Sequence, residues 1–306
     1  MKIGLIDIDG HNFSNIALMK ISTYHKKQGH RVEWVNYFEE YDKVYMSKIF
    51  TFSPEPEFHI RSKEIIKGGT GYDVRSWLPD CIENSSPDYS IYPECDYSVV
   101  FFSRGCIRNC PFCIVIKKEG YIKPVRIISL NTTGKHIEVL DNNFFANPLW
   151  RDAVEFLNET NQYVNLHGVD VRIMNREQAI ALNSMKLKGS SIHIAWDNPK
   201  DNIVPQLNEM LKYVKRYKIT CYVLIGYWST PEQDYERVMK LKELGINPFV
   251  QPYRDFENKR IPTDYERKFA RWVNKKELFN SCTWKEYDSS IRKINQEDKR
   301  QLQLFK

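Results

Sequence analysis

The stretch from Ser98 to Cys113, SVVFFSRGCIRNCPFC, joins a short apolar run to a cluster of three cysteines. Val99 to Phe102 are four consecutive apolar residues, a length typical of a buried strand. Cys106, Cys110 and Cys113 follow within a span of eight residues, with the spacing C-x3-C-x2-C. Three thiolates at this spacing, on a loop directly after a strand, can converge on one metal centre.

The number of thiolates indicates which kind of metal centre this loop suits. Structural zinc takes four ligands, usually from paired C-x2-C knuckles, and the sequence offers neither a second knuckle nor a nearby pair of histidines. A [4Fe–4S] cluster held by four cysteines is coordinatively closed, whereas three leave one iron open to an added ligand. The other cysteines stand singly, and an odd total of seven argues against a disulfide framework.

This loop resembles the signature of the radical S-adenosylmethionine (SAM) enzymes, with an aromatic residue, Phe112, directly before the third cysteine. The resemblance covers about residues 97–255 and includes the order of the strands. It implies that the three cysteines bind a [4Fe–4S] cluster and that the amino and carboxylate groups of SAM chelate the fourth iron. It also implies an external reductant of the flavodoxin or ferredoxin type. The reduced cluster would cleave SAM to a 5′-deoxyadenosyl radical that abstracts hydrogen from an unidentified substrate.

Strand and helix patterns alternate through the region that the resemblance covers. Leu207, Met210 and Val214 share one helical face, and Thr230 to Gln233 form a capping box that begins another helix. Six strands separated by helices predict parallel pairing in an open or partial barrel. The fold class is therefore α/β, and the resemblance implies a partial (β/α)6 TIM-like barrel. The six predicted strands are Ser98 to Ser103, His136 to Leu140, Tyr163 to Leu166, Ser191 to Trp196, Thr220 to Tyr227 and Pro248 to Pro252.

The N-terminal residues predict a separate, smaller domain. Lys2 to Ile8 have the pattern of a strand, a helix follows from about Ser14 to a glycine cap at Gly29, and Arg31 to Val35 predict a second strand. This β-α-β order is typical of a small doubly wound, Rossmann-like domain. Residues 87–93 look like a linker, so we predict this domain with its linker over residues 1–92, the barrel over 93–256 and an extension over 257–306.

One N-terminal motif is similar to a cofactor signature. Asp9 to Ser14 nearly match the D-x-H-x-x-G signature of cobalamin-binding domains, and the pair Gly68-Gly69 is similar to a later glycine pair of those domains. The stretch before the linker is short for a doubly wound sheet of five strands. We therefore interpret it as a degenerate, cobalamin-free remnant in which His11 is a polar loop residue. A cobalamin-dependent radical SAM methyltransferase is the alternative enzyme.

Polar residues at the predicted strand ends are candidate contacts of SAM, because barrel active sites lie at the carboxyl ends of strands. The resemblance implies that Asp141, Asn142 and Asn143 stand where the family usually has a Gly-Gly-Glu-like turn that holds the SAM amino group. This sequence departs from that pattern, and an ordinary turn of Asx residues is the other interpretation. Asp170 and Arg172 would meet the SAM carboxylate or the substrate, or would form a surface ion pair.

Two further candidates follow the fourth and fifth predicted strands. Asp197 is either a polar contact to the ribose of SAM or a helix N-cap. Gly226, in the segment Leu224 to Tyr227, resembles a position that packs on adenine, although plain core burial explains the same pattern. With Phe112, these residues complete the predicted cofactor contacts, and no catalytic acid or base is assigned.

Charge and hydropathy narrow the class of protein. The chain of 306 residues carries a net charge of +6, and residues 257–306 hold 13 Lys and Arg against 8 Asp and Glu. This segment predicts a solvated helical extension, with nucleic-acid binding by a zinc-stabilised protein as the alternative. No apolar run approaches the ~18 residues of a membrane helix. Asp7 interrupts the N-terminal apolar run, so we expect a cytoplasmic protein.

Overall fold

The computed structural model describes residues 1–125, 129–255 and 258–288. They form a mixed α/β fold with parallel sheets, as the sequence predicts. The chain divides into two compact units, Met1–Gly168 with Ser184–Lys186, and Val169–Asn183 with the residues from Leu187 onward. These units are not the three predicted segments, whose boundaries stay predictions. No helix in the described part of the chain has both the length and the apolar character of a membrane span.

The first unit opens with a small parallel sheet. Asn15 begins the first helix, because its side chain accepts from the Leu18 N–H at 3.3 Å, and Gly29 ends it at φ +73°, as predicted. Leu5 and Leu18 are fully buried between helix and sheet. The elements are β1 (Lys2–Asp7), α1 (Ile16–Lys27), β2 (Arg31–Trp34), β3 (Lys43–Ser47), β4 (Ile65–Gly68) and α2 (Asp80–Glu83), with strand order β2-β1-β3-β4.

The rest of the first unit carries the cysteine loop. Its elements are β5 (Tyr97–Val100), β6 (Ser103–Arg104), α3 (Val115–Glu119), β7 (Lys123–Pro124), β8 (His136–Val139), α4 (Trp150–Glu159) and β9 (Tyr163–Val169). β5, β8 and β9 pair in parallel, with Val99 beside Glu138 and Glu138 beside Asn165. β6 and β7 form a short antiparallel pair at the base of the cysteine loop.

The elements after β9 continue the alternation. They are α5 (Arg176–Ser184), β10 (Leu187–Ala195), α6 (Val204–Leu211), β11 (Ile219–Ile225), α7 (Pro231–Glu243), β12 (Asn247–Pro252), α8 (Asp264–Asn274) and α9 (Lys276–Ser281). The larger sheet has the strand order β12-β11-β10-β9-β8-β5. The predicted capping box begins α7, with Thr230 and Gln233 bonded to each other's backbone N–H groups.

One face of the larger sheet's strands is apolar and the other is partly exposed. In the first unit Ile137 and Leu166 are fully buried, whereas Glu138 and Asn165, which alternate with them, are half-buried. The second unit shows the same alternation along β11. Parallel strands are usually covered by helices on both faces. The partly exposed face is therefore the one available for ligands.

Candidate metal centre and strand-end residues

The three cysteines lie on the loop between β6 and α3, and all are present as thiols. The Cys106 sulfur accepts a hydrogen bond from the Arg108 backbone N–H at 3.4 Å and one from Asn143 Nδ2 at 3.9 Å. The Cys113 N–H donates to the Cys110 carbonyl at 2.9 Å, which closes a turn around Phe112. These hydrogen bonds hold Cys106 and the turn that leads to Cys113 in place within the loop.

Gly105 sets the path of the chain into this loop. Its φ of +83° lies in the left-handed region, and a Cβ there would come within 2.5 Å of the carbonyl oxygens of Gly120 and Tyr121. The next residue, Cys106, donates its N–H to the Gly120 carbonyl at 3.2 Å. Only glycine fits this close approach of two backbone segments. The start of the loop is thus fixed against the residues that follow α3.

Glu119 joins the two ends of the loop. Its carboxylate pairs with Arg104 at 2.6 Å and accepts from the Gly105 N–H and from Asn142 Nδ2, each at 2.8 Å. Burial by itself would raise the pKa of Glu119, but the hydrogen bond and charge of Arg104 outweigh it and the pKa is lowered. Lys117, Lys118 and Glu119 lie in α3, which ends at Gly120, and the Glu119 side chain is largely buried.

The turn after β8 distributes its three polar residues among different partners. Asp141 is buried, and its two oxygens accept from the Phe102 N–H at 2.7 Å and from the Ser103 hydroxyl. Burial raises the pKa of Asp141 to about 6, although these hydrogen bonds oppose the rise. Asn142 binds Glu119 and Asn143 binds Cys106. The structure therefore brings Asn142 and Asn143 to the cysteine loop, whereas Asp141 holds the start of β6.

Thiols are the donors that an iron–sulfur cluster takes, so the chemistry of this loop suits one, although the structure does not gather the three cysteine side chains into a group that could hold a metal ion. Three thiols of suitable spacing lie on one loop, and N–H groups already contact one of the sulfurs. Within residues 1–125, 129–255 and 258–288, no group of three or more His, Cys, Asp or Glu side chains is arranged to hold a single metal ion. Phe112 is half-buried on the loop between the second and third cysteines.

Asp170 and Arg172, in the second unit, form a bidentate ion pair. Arg172 Nε lies 2.7 Å from Asp170 Oδ1, its second terminal nitrogen lies 3.2 Å from Oδ2, and a further bond at 3.3 Å reaches Asp201. Asp170 also accepts the Arg172 N–H at 3.1 Å, which caps a short 3₁₀ turn. The Asp170 side chain is only 7% exposed, so this pair is buried at its acidic end and differs from an ordinary surface pair.

Asp197 lies at the end of β10 beside a buried arginine. Burial raises the pKa of Asp197, which is opposed by the charges of Arg172 and Arg237 and by a bond from the Leu224 N–H. Arg237, from α7, donates to the Trp196 carbonyl at 2.5 Å and the Leu224 carbonyl at 3.0 Å, and it pairs with Asp234. The N-cap interpretation of Asp197 is wrong, because α6 begins only at Val204, after Ile203. Arg237 holds together the carboxyl ends of β10 and β11.

The surroundings of position 226 leave room only for glycine. The φ of Gly226 is +78°, and a Cβ would overlap the Glu266 carboxylate and come within 2.6 Å of an Arg260 nitrogen. Arg260 and Glu266 form an ion pair at 2.7 Å. The Tyr253 ring lies next to this glycine's neighbour Tyr227, with ring centroids 4.7 Å apart. The predicted adenine contact is thus a tight backbone position at the carboxyl end of β11.

Sequence patterns missed a polar cluster on the partly exposed face of β8 and β9. Glu138 accepts from Asn165 Nδ2 at 2.7 Å and is bonded to His136 at 2.9 Å and to His167. Burial would raise the pKa of Glu138, but the bonds from His167 and Asn165 lower it. The signal was present, because polar residues at every second position of a predicted strand share one face.

The cobalamin-like motif is engaged in local packing. The Asp9 carboxylate accepts from the Ile49 N–H and the Ser53 hydroxyl, each at 2.5 Å, and so fixes the loop after β3. The His11 ring lies over Trp34 with ring centroids 4.1 Å apart. These contacts give both residues structural roles in the small sheet.

No protein-family model matches this chain, and no curated protein matches it at a significant level.

Proposed function

We propose that this chain is a radical SAM enzyme whose [4Fe–4S] cluster is held by Cys106, Cys110 and Cys113. The observation that carries the proposal is the loop after β6, which presents three thiols and directs N–H groups at the Cys106 sulfur. The fold that we propose for residues 93–256 is a partial (β/α)6 barrel. In such folds the reacting groups collect at the carboxyl ends of the strands, which is where this loop begins.

The chain's own residues bind and orient the reactants. When bound, the cluster supplies the electron that cleaves SAM to methionine and a 5′-deoxyadenosyl radical. Asn142 and Asn143 are the residues we propose for the SAM amino group, because both lie at the cysteine loop. Asp141 positions the start of β6 instead, since its two oxygens already accept from Phe102 and Ser103. Asp170, Arg172, Asp197 and Gly226 stay predicted cofactor contacts.

The proposed partner is a one-electron reductant of the flavodoxin or ferredoxin type in the cytoplasm. Cys113 is exposed, so one end of the cysteine loop faces solvent. Because electron transfer needs close approach of donor and acceptor, an exposed loop suits delivery of an electron to a cluster at this position. A zinc-stabilised nucleic-acid-binding protein is the contrasting function, and the metal content of the protein distinguishes the two.

Reductive cleavage of SAM tests this proposal. The full chain is reconstituted anaerobically with iron and sulfide, reduced with dithionite and incubated with SAM, and 5′-deoxyadenosine is measured. We expect 5′-deoxyadenosine from the wild type and none above background from Cys110→Ala. Cys81→Ala is the matched control, because Cys81 is an exposed thiol outside the loop, and it should behave as the wild type. Stoichiometric zinc without sulfide, or equal product from Cys110→Ala, would contradict the proposal.

A further inference from the structure

A cavity of about 920 Å³ lies within the first unit, of a size that accommodates a small organic ligand. Its lining includes Ile21 and Tyr24 of α1, together with Ile66 and Leu78, which pack in the same apolar cluster. The cavity reaches Val115 of α3, the helix that follows the third cysteine. Its apolar walls suit an apolar ligand body.

Four lysines line this cavity, and one of them differs from the rest. Lys20 pairs with Glu83 at 2.7 Å, Lys43 with Glu64 at 3.0 Å and Lys67 with Glu55 at 3.1 Å. No carboxylate among the described residues lies within salt-bridge distance of Lys118. Its ammonium donates instead to the Ser76 carbonyl. A half-buried ammonium that makes no ion pair is costly, and an anionic ligand bound to it would offset that cost.

Arg104 adds a second donor at the same end of the cavity. One terminal nitrogen of its guanidinium pairs with Glu119, but no acceptor among the described residues reaches its buried Nε. Burial and the charge of Arg104 lower the pKa of Lys118, which shows that the two cations are close enough to repel each other. The carboxylates of Glu119, Asp73 and Glu83 act on Lys118 in the opposite sense, but none of the three forms an ion pair with it.

An aromatic ring lies among these cations. The Trp77 ring centroid is 5.3 Å from the Lys118 ammonium, 5.6 Å from the Arg104 guanidinium and 5.9 Å from the Lys123 ammonium. The Trp77 side chain also lines the cavity and is 46% exposed, as are Ile49 and Ile114 to similar extents. The end of the cavity thus combines exposed apolar surface with a lysine that makes no ion pair and a guanidinium Nε that has no acceptor among the described residues.

We propose that this cavity binds a small anionic amphiphile, with a carboxylate or phosphate group at Arg104 and Lys118 and an apolar body along Trp77 and Leu78. The inference goes beyond the proposed function and needs neither the cluster nor SAM. The ligand would lie beside α3 and so next to the cysteine loop. The paired lysines of the cavity give the matched control, because their charges are already compensated.

Calorimetric titration of the full chain with three ten-carbon probes tests the site. Decanoate and decyl phosphate carry the two anionic groups, and decanol is the neutral probe of the same length. We expect saturable binding of at least one anionic probe and weaker binding of decanol. Lys118→Gln should weaken the affinity for the anionic probe about tenfold and change the affinity for decanol less than twofold, because the substitution removes only the charge. Lys67→Gln should change the affinity for neither kind of probe by more than about twofold.

The possible results of these titrations distinguish a correct inference from a wrong one. No saturable binding of any probe, or equal effects of Lys118→Gln and Lys67→Gln, would overturn the inference. Decanol binding as tightly as both anionic probes would overturn the assignment of the anionic group. Trp77→Ala is a second variant at an exposed position, and it should weaken the binding of all three probes. Thermal unfolding of each variant establishes that it is folded, and failure to bind a cluster would leave all of these results unchanged.

Discussion

Glu119 is the residue on which the shape of the cysteine loop most depends. Its three partners, Arg104, Gly105 and Asn142, are 15, 14 and 23 positions away along the chain. Since Arg104 and Gly105 lie at the end of β6 and Asn142 lies after β8, no local pattern could reveal their convergence on Glu119. The cysteine spacing, in contrast, is local and could be found from the sequence. The long-range hydrogen bonds of a single charged residue such as Glu119 are visible only in the folded structure.

Replacing Glu119 should loosen the loop at both ends. Glu119→Ala leaves Arg104 largely buried without its carboxylate, so we expect the free energy of unfolding to fall by about 3 kcal/mol in urea denaturation. Glu83→Ala removes a more exposed partner, that of Lys20, and should cost less than about 1 kcal/mol. Equal losses of unfolding free energy in the two variants would show that the ion pair of Glu119 with Arg104 contributes no more than an ordinary surface pair.

His25 makes the stability of the small sheet depend on pH. Its ring is bonded to Tyr45 and to His30, and burial together with the charges of His30, Lys43 and the N-terminus lowers its pKa to about 4. The unfolded chain takes up this proton near pH 6.5, so the folded state is favoured above that pH. The stability that His25 contributes is lost as the pH falls from 6.5 towards 4.

Unfolding at pH 7 and pH 5 measures this contribution. From pH 7 to 5 the wild type should lose about 2 kcal/mol more free energy of unfolding than His25→Gln, whose side chain does not titrate. Asp141 titrates in the same range but is present in both proteins, so its contribution cancels. His59→Gln replaces an exposed histidine and should show the wild-type loss. Parallel pH curves for the wild type and His25→Gln would contradict this account.

At the scale of elements, the end of β9 and the turn after β8 touch backbone to backbone. A Cβ on Gly168 would overlap the Asp141 carbonyl oxygen and lie 2.7 Å from the Asn142 carbonyl carbon. Asp141 holds the start of β6, and Asn142 holds Glu119 at the cysteine loop. The close approach of β9 therefore fixes the turn from which the predicted SAM contacts extend.

Alanine at this position should displace the turn. Gly168→Ala should lower the free energy of unfolding by more than about 2 kcal/mol, because the backbone must shift to make room. Gly189, in β10, is the matched control, since a Cβ there would meet its nearest neighbour at an ordinary 3.7 Å. Gly189→Ala should stay within about 1 kcal/mol of the wild type. A harmless Gly168→Ala would contradict the role of this contact.

The elements were predicted unevenly from the sequence. All six predicted strands of the larger sheet are present, although β9 and β10 are longer than predicted, as Tyr163–Val169 and Leu187–Ala195. β3 and β4 were missed, because they are four or five residues long and turn-rich segments flank them. Both pair in parallel with distant neighbours, and such pairing leaves little trace in a short stretch of sequence.

At the scale of the whole molecule, the excess positive charge and the residues assigned to chemistry lie in different parts of the chain. Most of the net charge lies in residues 257–306, where α8 and α9 confirm the predicted helical character of the described part. Residues 289–306 of this predicted extension lie outside the described residues. The groups assigned to chemistry lie elsewhere, at strand ends and on the cysteine loop. The central claim, a cluster on three thiolates with one iron open to SAM, rests on that loop.

Electron paramagnetic resonance of the reconstituted and reduced protein tests this claim most directly. We predict the signal of a reduced [4Fe–4S] cluster whose g-values change when SAM is added, since SAM would bind the open iron. The signal should be lost in Cys106→Ala and kept in Cys81→Ala. A signal that SAM leaves unchanged, or one that survives in Cys106→Ala, would contradict the account.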